Sequence, residues 1–246
     1  MKKAYFRFYD ELQELLRPPY RGRSFTYEFK GSQSVKHLIE ALGVPHTEIG
    51  RILINDNPVD TGYQVQQADR VQVYPARFDL TETNSHSDIE EDIKFVLDNH
   101  LGRLAAYLRM LGFNARYRNN YQDDELAEIA GQDERILLTR DRRLLMRNQV
   151  RSGYCVRKLD PQEQLKEVIK RFGLQRFARP FRRCIRCNFI LEPVHKELVL
   201  QRLEPLTRQY YDEFRICPHC QQIYWKGSHF ARMGQMIQEV LGNQDD

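Results

Sequence analysis

Two Cys-x-x-Cys pairs, Cys184/Cys187 and Cys217/Cys220, constrain this chain more than any other feature. They use four of its five cysteines, and 29 residues separate them. In a reducing compartment, four thiols spaced this way match a structural Zn²⁺, which takes four soft ligands in a tetrahedron, two from each tight knuckle. A pair of redox motifs is the other reading of the same spacing. The segment that holds them, residues 180–246, is too short to be secure on its own apolar core, and zinc can add about 10–16 kcal/mol of apparent folding free energy. The remaining cysteine, Cys155, sits in the apolar run Tyr154-Cys155-Val156 and reads as a buried strand thiol.

Hydrophobic residues make up 41% of the 246 and charged residues 29%, so the chain can bury a substantial core and wholesale disorder is excluded. No run of 18 apolar residues exists, which excludes a transmembrane helix. The first nine residues, Met-Lys-Lys-Ala-Tyr-Phe-Arg-Phe-Tyr, alternate polar and apolar and lack the apolar core of a signal peptide, so the expected location is the cytoplasm. The net charge of +4 is unevenly spread. Residues 81–92 hold five acids and no base, whereas 135–158 hold eight bases against the single acid Asp141, and 170–186 hold seven bases and no acid. These bases are mostly arginine, the side chain best suited to bidentate phosphate contact, so an RNA or DNA partner is expected with Arg142, Arg143, Arg182 and Arg183 among its contacts. A solvated charged face is the ordinary alternative. Trp225-Lys226, just after the second cysteine pair, is placed to stack a base.

Hydrophobic patterning divides the chain into three pieces and a linker. In residues 1–78, two alternating strands (Ala4, Phe6, Phe8 and Phe25, Tyr27, Phe29) precede a helix capped by Ser34, with Val35, Leu38, Ile39 and Leu42 on one face. Further strands are expected at 51–54 and 70–74. This order resembles the β-grasp, ubiquitin-like fold of small sulfur carriers. Those carriers end in a free Gly-Gly tail, but here the chain reads Pro75-Ala76-Arg77-Phe78 and continues, so an accessory or RNA-guiding module, or one that meets a protein partner, is expected instead of sulfur transfer. Residues 79–92 read as an acidic linker. Residues 93–175 alternate strand and helix: strands near 94–97, 136–139 and 154–157, helices at 101–111, 124–131 and from 142, and a last helix with Asp160 as cap, Pro161 at its start and Gly173 past its end. That pattern predicts a doubly wound parallel α/β domain. Residues 180–246 add a strand-like Lys196–Leu203 and a terminal amphipathic helix from Phe230 to Leu241.

In an open parallel sheet, ligands bind at the carboxyl ends of the strands. Asp98 directly follows Phe95-Val-Leu97, Asp141 follows Ile136-Leu-Leu-Thr139, and Asp123, Asp124 and Glu125 open the intervening helix. Neighbouring carboxylates repel by about 4 kcal/mol at 4 Å in an effective dielectric near 20, and a hard divalent cation relieves that repulsion. Helix capping is the alternative duty for Asp123 or Asp124, and for Asp141.

Several blocks then agree in order and spacing with one family. Phe95-Val-Leu-Asp-Asn-His-Leu-Gly-Arg-Leu-Ala-Ala-Tyr-Leu-Arg-Met-Leu-Gly-Phe113, Asp123-Asp-Glu-Leu126, Ile136-Leu-Leu-Thr-Arg-Asp141, Arg183-Cys-Ile-Arg-Cys-Asn188, Cys217-Pro-His-Cys220 and Ile223-Tyr-Trp-Lys-Gly-Ser-His229 resemble the Mut-seven C-terminal RNase family, a PIN-like nuclease core followed by a zinc ribbon. The N-terminal module resembles the ubiquitin-like domain fused in front of it in prokaryotic members. The resemblance implies a metal-dependent ribonuclease in which Asp98, Asp124 and Asp141, with Asp123 or Glu125, hold Mg²⁺ or Mn²⁺ that positions a water, while Arg103 and Arg140 hold the scissile phosphate. PIN nucleases commonly assemble four acids, and this chain offers three such positions. A non-catalytic RNA-binding protein using the same basic surface is the alternative from another functional class.

Overall fold

The computed structural model describes residues 1–77 and 93–242, apart from the side chains of His229 and Arg232. The expected linker at 79–92 lies outside the described residues.

The N-terminal segment forms β1 (Lys2–Phe8), β2 (Phe25–Phe29), α1 (Val35–Ala41), β3 (Ile49–Ile54), β4 (Asn57–Val59) and β5 (Arg70–Pro75). Next come β6 (Lys94–Leu97), α2 (Gly102–Met110), β7 (Asn114–Tyr117), α3 (Asp123–Gln132), β8 (Ile136–Thr139), α4 (Arg142–Leu145), β9 (Gly153–Cys155) and α5 (Pro161–Phe172). The cysteine region contains β10 (Glu192–Val194), α6 (Lys196–Val199), α7 (Pro205–Tyr210), β11 (Phe214–Ile216), β12 (Ile223–Trp225) and α8 (Ser228–Leu241). No described helix is long and apolar enough to cross a membrane.

Among the described residues, 1–77 and 122–155 make one compact unit and 93–121 with 156–242 the other. In the first unit the N-terminal sheet runs β2-β1-β5-β3-β4, with β1 and β5 parallel at its centre and the outer pairs antiparallel. Strand alternation puts Ala4, Phe6 and Phe8, then Val71 and Val73, then Ile52 and Ile54 on one face, where α1 buries Val35, Leu38 and Ile39. Ser34 caps α1 as expected, its hydroxyl accepting the His37 N–H at 3.2 Å. The same unit holds β8 and β9, a parallel pair in register Leu137↔Gly153, Leu138↔Tyr154 and Thr139↔Cys155. Buried groups of the N-terminal segment tie this pair down. Glu48, fully buried, accepts the Cys155 N–H at 2.7 Å. His46 bridges the Glu40 carboxylate at 2.8 Å and the Val150 carbonyl at 3.0 Å.

In the second unit β6 and β7 are parallel, Lys94↔Asn114 through Leu97↔Tyr117. Phe95 on β6 meets Phe113 and Phe172 edge-on at 6.3 and 5.8 Å, which seats α5. Asp160 caps α5 by accepting the Gln162 and Glu163 N–H groups, and Gly173 ends it, both as expected. The cysteine region builds the antiparallel sheet β10-β11-β12 over a small core of Val199, Leu203, Phe214 and Ile223. One expectation is corrected here: Lys196–Leu203 is not a strand but α6 continued by a 3-10 turn, Leu200–Arg202. Its buried residues, Val199 and Leu203, are four apart, the spacing of a helix face, while Leu198 and Leu200 face solvent.

Candidate functional site

The four cysteines come together. Their sulfurs all lie within 4.8 Å of one another, with Cys187–Cys217 at 3.3 Å and Cys184–Cys220 at 3.5 Å. Both of these contacts run between the two pairs, so the thiols form one four-sulfur cluster and not two separate redox motifs. The cysteines are free, and a tetrahedron with Zn–S near 2.3 Å has sulfurs about 3.8 Å apart, so the donor set fits zinc. Each knuckle is built the same way. The N–H of the residue after the second cysteine donates to the first cysteine's carbonyl: Asn188 to Cys184 at 2.9 Å and Gln221 to Cys217 at 2.9 Å. Both donors take left-handed backbone, φ 75° and 59°, which curls the chain so that two sulfurs point inward. The first cysteine's N–H donates onward to Phe189 (2.8 Å) or Gln222 (3.0 Å). Burial disfavours the Cys184 thiolate, but hydrogen bonds from the Tyr224 hydroxyl, 3.1 Å away, and from groups of the neighbouring cysteines outweigh it and bring that thiol down to about 7. Burial pushes Cys187 up to about 12. Four crowded thiols cannot all ionise without a cation between them, and a bound Zn²⁺ removes that conflict.

Sequence reasoning missed what holds the first knuckle. Arg109 on α2 is almost wholly buried, and burial lowers its pKa. Its guanidinium donates to the carbonyls of Ala115 (2.8 Å), Ile185 (3.1 Å) and Arg186 (2.9 Å), the last two lying between Cys184 and Cys187. Asn188 adds a second tie: its Oδ1 accepts the Ala115 N–H at 3.0 Å and its Nδ2 donates to Asn114 at 2.7 Å. The signal was present, because Arg109 falls four residues after Ala105 on the edge of the apolar stripe of α2.

Asp98 and Asp141 follow strands within their own units, and Asp123 and Asp124 open a helix. Asp98 follows β6, is half-buried, and caps the turn Asn99–Leu101 by accepting the Asn99 N–H at 2.6 Å. That turn is held by Tyr117, whose hydroxyl donates to the Asn99 carbonyl at 2.9 Å and lies over Gly102, where a Cβ would meet it at 2.7 Å. Asn99 Nδ2 donates to the Tyr121 carbonyl, while Asn99 Oδ1 is buried with no hydrogen-bond partner among the described residues. In the other unit, Asp141 is the cap of α4, accepting the Arg143 N–H at 2.8 Å, and its own N–H donates to buried Thr139 Oγ1 at 2.9 Å. Asp123 and Asp124 are exposed in the first turn of α3 but do not cap it. Gln122 does, in a reciprocal box with Glu125, whose carboxylate accepts the Gln122 N–H at 2.9 Å. Arg147 makes an ion pair with Asp124 and lies 3.9 Å from Asp123.

Among the expected RNA contacts, Arg103, Arg140 and Arg143 are exposed. Arg142 donates to the carbonyls of Leu15 and Gly43 within its unit. Arg183 donates to Gly112 and Asn188 carbonyls, both at 3.0 Å, and helps dock the first knuckle; Arg182 is half-buried beside it. Trp225 closes β12 with its ring 37% exposed, and Lys226 next to it pairs with Glu213 at 2.8 Å.

No solved structure matches the chain. A curated human protein, "Exonuclease mut-7 homolog", is 40% identical over 101 residues, which are 39% of this chain and 12% of that protein. The chain therefore spans about an eighth of that relative's length. Residues 1–80 match the model described as Mut7-C ubiquitin, in agreement with the sheet whose first and last strands pair in parallel. Residues 93–237, more than half the chain, match the model described as Mut7-C RNAse domain, and the protein belongs to that family.

Proposed function

We propose that the protein is a divalent-metal-dependent ribonuclease. The observation that carries this reading is that Asp98 directly follows the parallel strand β6 in one unit and Asp141 lies two residues past the parallel strand β8 in the other, each at a carboxyl strand end of the kind where α/β sheets bind their ligands, while Asp123 and Asp124 open α3. In this reading residues 93–175 form a PIN-like doubly wound domain, 1–78 a ubiquitin-like module joined by the 79–92 linker, and 180–246 a zinc ribbon held by Cys184, Cys187, Cys217 and Cys220. The oxygen donors suit Mg²⁺ or Mn²⁺, and the buried, unpartnered Asn99 Oδ1 beside Asp98 is a further hard donor of the kind such ions take. Asp98, Asp124 and Asp141 would hold the ion, with Asp123 contributing. When bound, the ion supplies charge stabilisation for hydrolysis of a phosphodiester. The chain's own groups do the rest: the Tyr117 hydroxyl and Thr139 Oγ1 fix the turns that carry Asp98 and Asp141, and exposed Arg103, Arg140 and Arg143 attract the RNA backbone. Glu125 serves α3 as a capping partner. Free thiols suit a reducing compartment, and this reading takes that compartment to be the cytoplasm.

One observation favours the alternative of a non-catalytic RNA binder: Arg147 already pairs with Asp124 and lies 3.9 Å from Asp123, offsetting one of their two negative charges. Cleavage of a labelled mixed-sequence RNA with Mn²⁺, Mg²⁺ or EDTA separates the two. Divalent-dependent cutting by the wild type that is lost in Asp98→Asn, Asp124→Asn and Asp141→Asn, with binding retained, is the expected result. Salt-sensitive binding by the wild type with no product under any ion would leave the binder.

A further inference from the structure

A concavity in the cysteine region has a volume of about 760 Å³, and Phe181, Phe214, Tyr224, Trp225 and Phe230 are among its lining residues. Arg215, Lys196 and Lys226 stand at its rim together with Glu197, Asp212 and Glu213. We infer that this cleft is a subsite for an unpaired nucleotide of single-stranded RNA, an inference that rests on the RNA-directed reading above. The volume falls in the ~300–1,000 Å³ range of sites that enclose small organic ligands. Its floor is built of rings, and ring faces bind bases of any sequence by stacking, provided the base is unpaired and its face is open.

Two details mark the cleft as more than a packing gap. Trp225 is 37% exposed at the cleft, and the ring of Phe214, tilted by 50° at 6.5 Å, does not stack on its indole. Phe181 takes left-handed backbone, φ 62°, a conformation costly for an aromatic residue. Its N–H donates to the Met110 carbonyl at 2.8 Å, and its ring stacks on Phe230 at 4.0 Å to form a wall of the cleft.

The charges decide how the subsite would bind. Lys196 pairs with Asp212 at 2.7 Å and Lys226 with Glu213 at 2.8 Å, both at the surface, where such pairs are weak and exchange readily for a phosphate. Arg215 is exposed and has no carboxylate partner among the described residues. Acids and bases nearly balance at the rim, so stacking dominates and the salt dependence is shallow. One to three phosphate contacts give a slope of log affinity on log salt of about −0.7 to −2.

Trp225 is the only tryptophan of the chain, so intrinsic fluorescence reports on the cleft alone. The full-length, zinc-loaded protein is titrated with short oligouridine, with a blunt RNA duplex and with polyglutamate, without added divalent ions. Quenching by oligouridine, little by duplex and none by polyglutamate is expected. In parallel, anisotropy of labelled oligouridine should show Trp225→Ala binding about 5- to 150-fold more weakly and Trp225→Phe close to wild type. Quenching by polyglutamate alone, equal quenching by duplex, or unchanged affinity in Trp225→Ala overturns the inference. If Trp225→Ala still cuts RNA with unchanged affinity, the cleft falls and the ribonuclease reading stands. If the wild type binds through Trp225 but never cuts, the ribonuclease reading falls and the cleft stands.

Discussion

Around Cys184 and Cys217 the backbone is tied at every step. The first cysteine's carbonyl and N–H are both engaged in each knuckle, and buried Arg109 and Asn188 lock the first knuckle to α2 and β7. Around Asp124 and Asp141 the side chains face solvent, and Asp141 is held by a single cap bond and Asp124 by a surface ion pair. The two sets store free energy differently. The thiols form part of the folded core of their region, so removing one removes structure. The acids sit on a scaffold that persists without them, so removing one should change chemistry and leave the fold.

Substitutions test that contrast in descending order of effect. Cys217→Ser should abolish zinc retention and unfold the cysteine region, losing much of the about 10–16 kcal/mol that such sites supply; metal analysis and near-UV circular dichroism read this, and wild-type protein purified with zinc near zero would sink the site. Arg109→Met should cost about 3–5 kcal/mol, because one buried and two part-buried carbonyls lose their donor at once; a denaturation midpoint within about 1 kcal/mol of wild type would show that the knuckle does not depend on it. Asp98→Asn should lower cleavage about a hundredfold or more, yet melt like the wild type, since asparagine caps as well as aspartate does; a large drop in melting temperature would place Asp98 with the thiols as structure. Asp141→Ala should cost about 1 kcal/mol through the lost cap of α4, and Asp141→Asn should restore that stability without restoring activity.

Wherever a local rule was decisive, the sequence was legible. Ser34, Asp160 and Gly173 bound their helices as their chemistry dictates, and alternating Ala4, Phe6 and Phe8 made a strand with one buried face. Reading failed where elements are three or four residues long. Strands β10, β11 and β12 are too short to show a period, and Lys196–Leu203 reads as a strand through its short apolar run Leu198-Val199-Leu200 while its buried residues obey helical spacing. Capping of α3 was also misassigned: Gln122 competes with Asp123 and Asp124 and wins because Glu125 stands three residues on to return the bond. Nothing local marks Glu48 or His46, whose partners, Cys155 and Val150, lie more than a hundred residues away.

The sequence by itself determined the four-thiol cluster, the ubiquitin-like order of strands and the acids at strand ends, because each depends on residue type and short-range spacing. Only the tertiary structure decided that sulfurs of different knuckles meet within 3.5 Å, that Arg109 is a buried tie and not a surface charge, and that residues 122–155 are gripped by Glu48, His46 and the carbonyls that receive Arg142. Those outcomes depend on which buried polar groups find partners once the chain is compact, and a buried donor or acceptor must be satisfied wherever in the chain its partner lies.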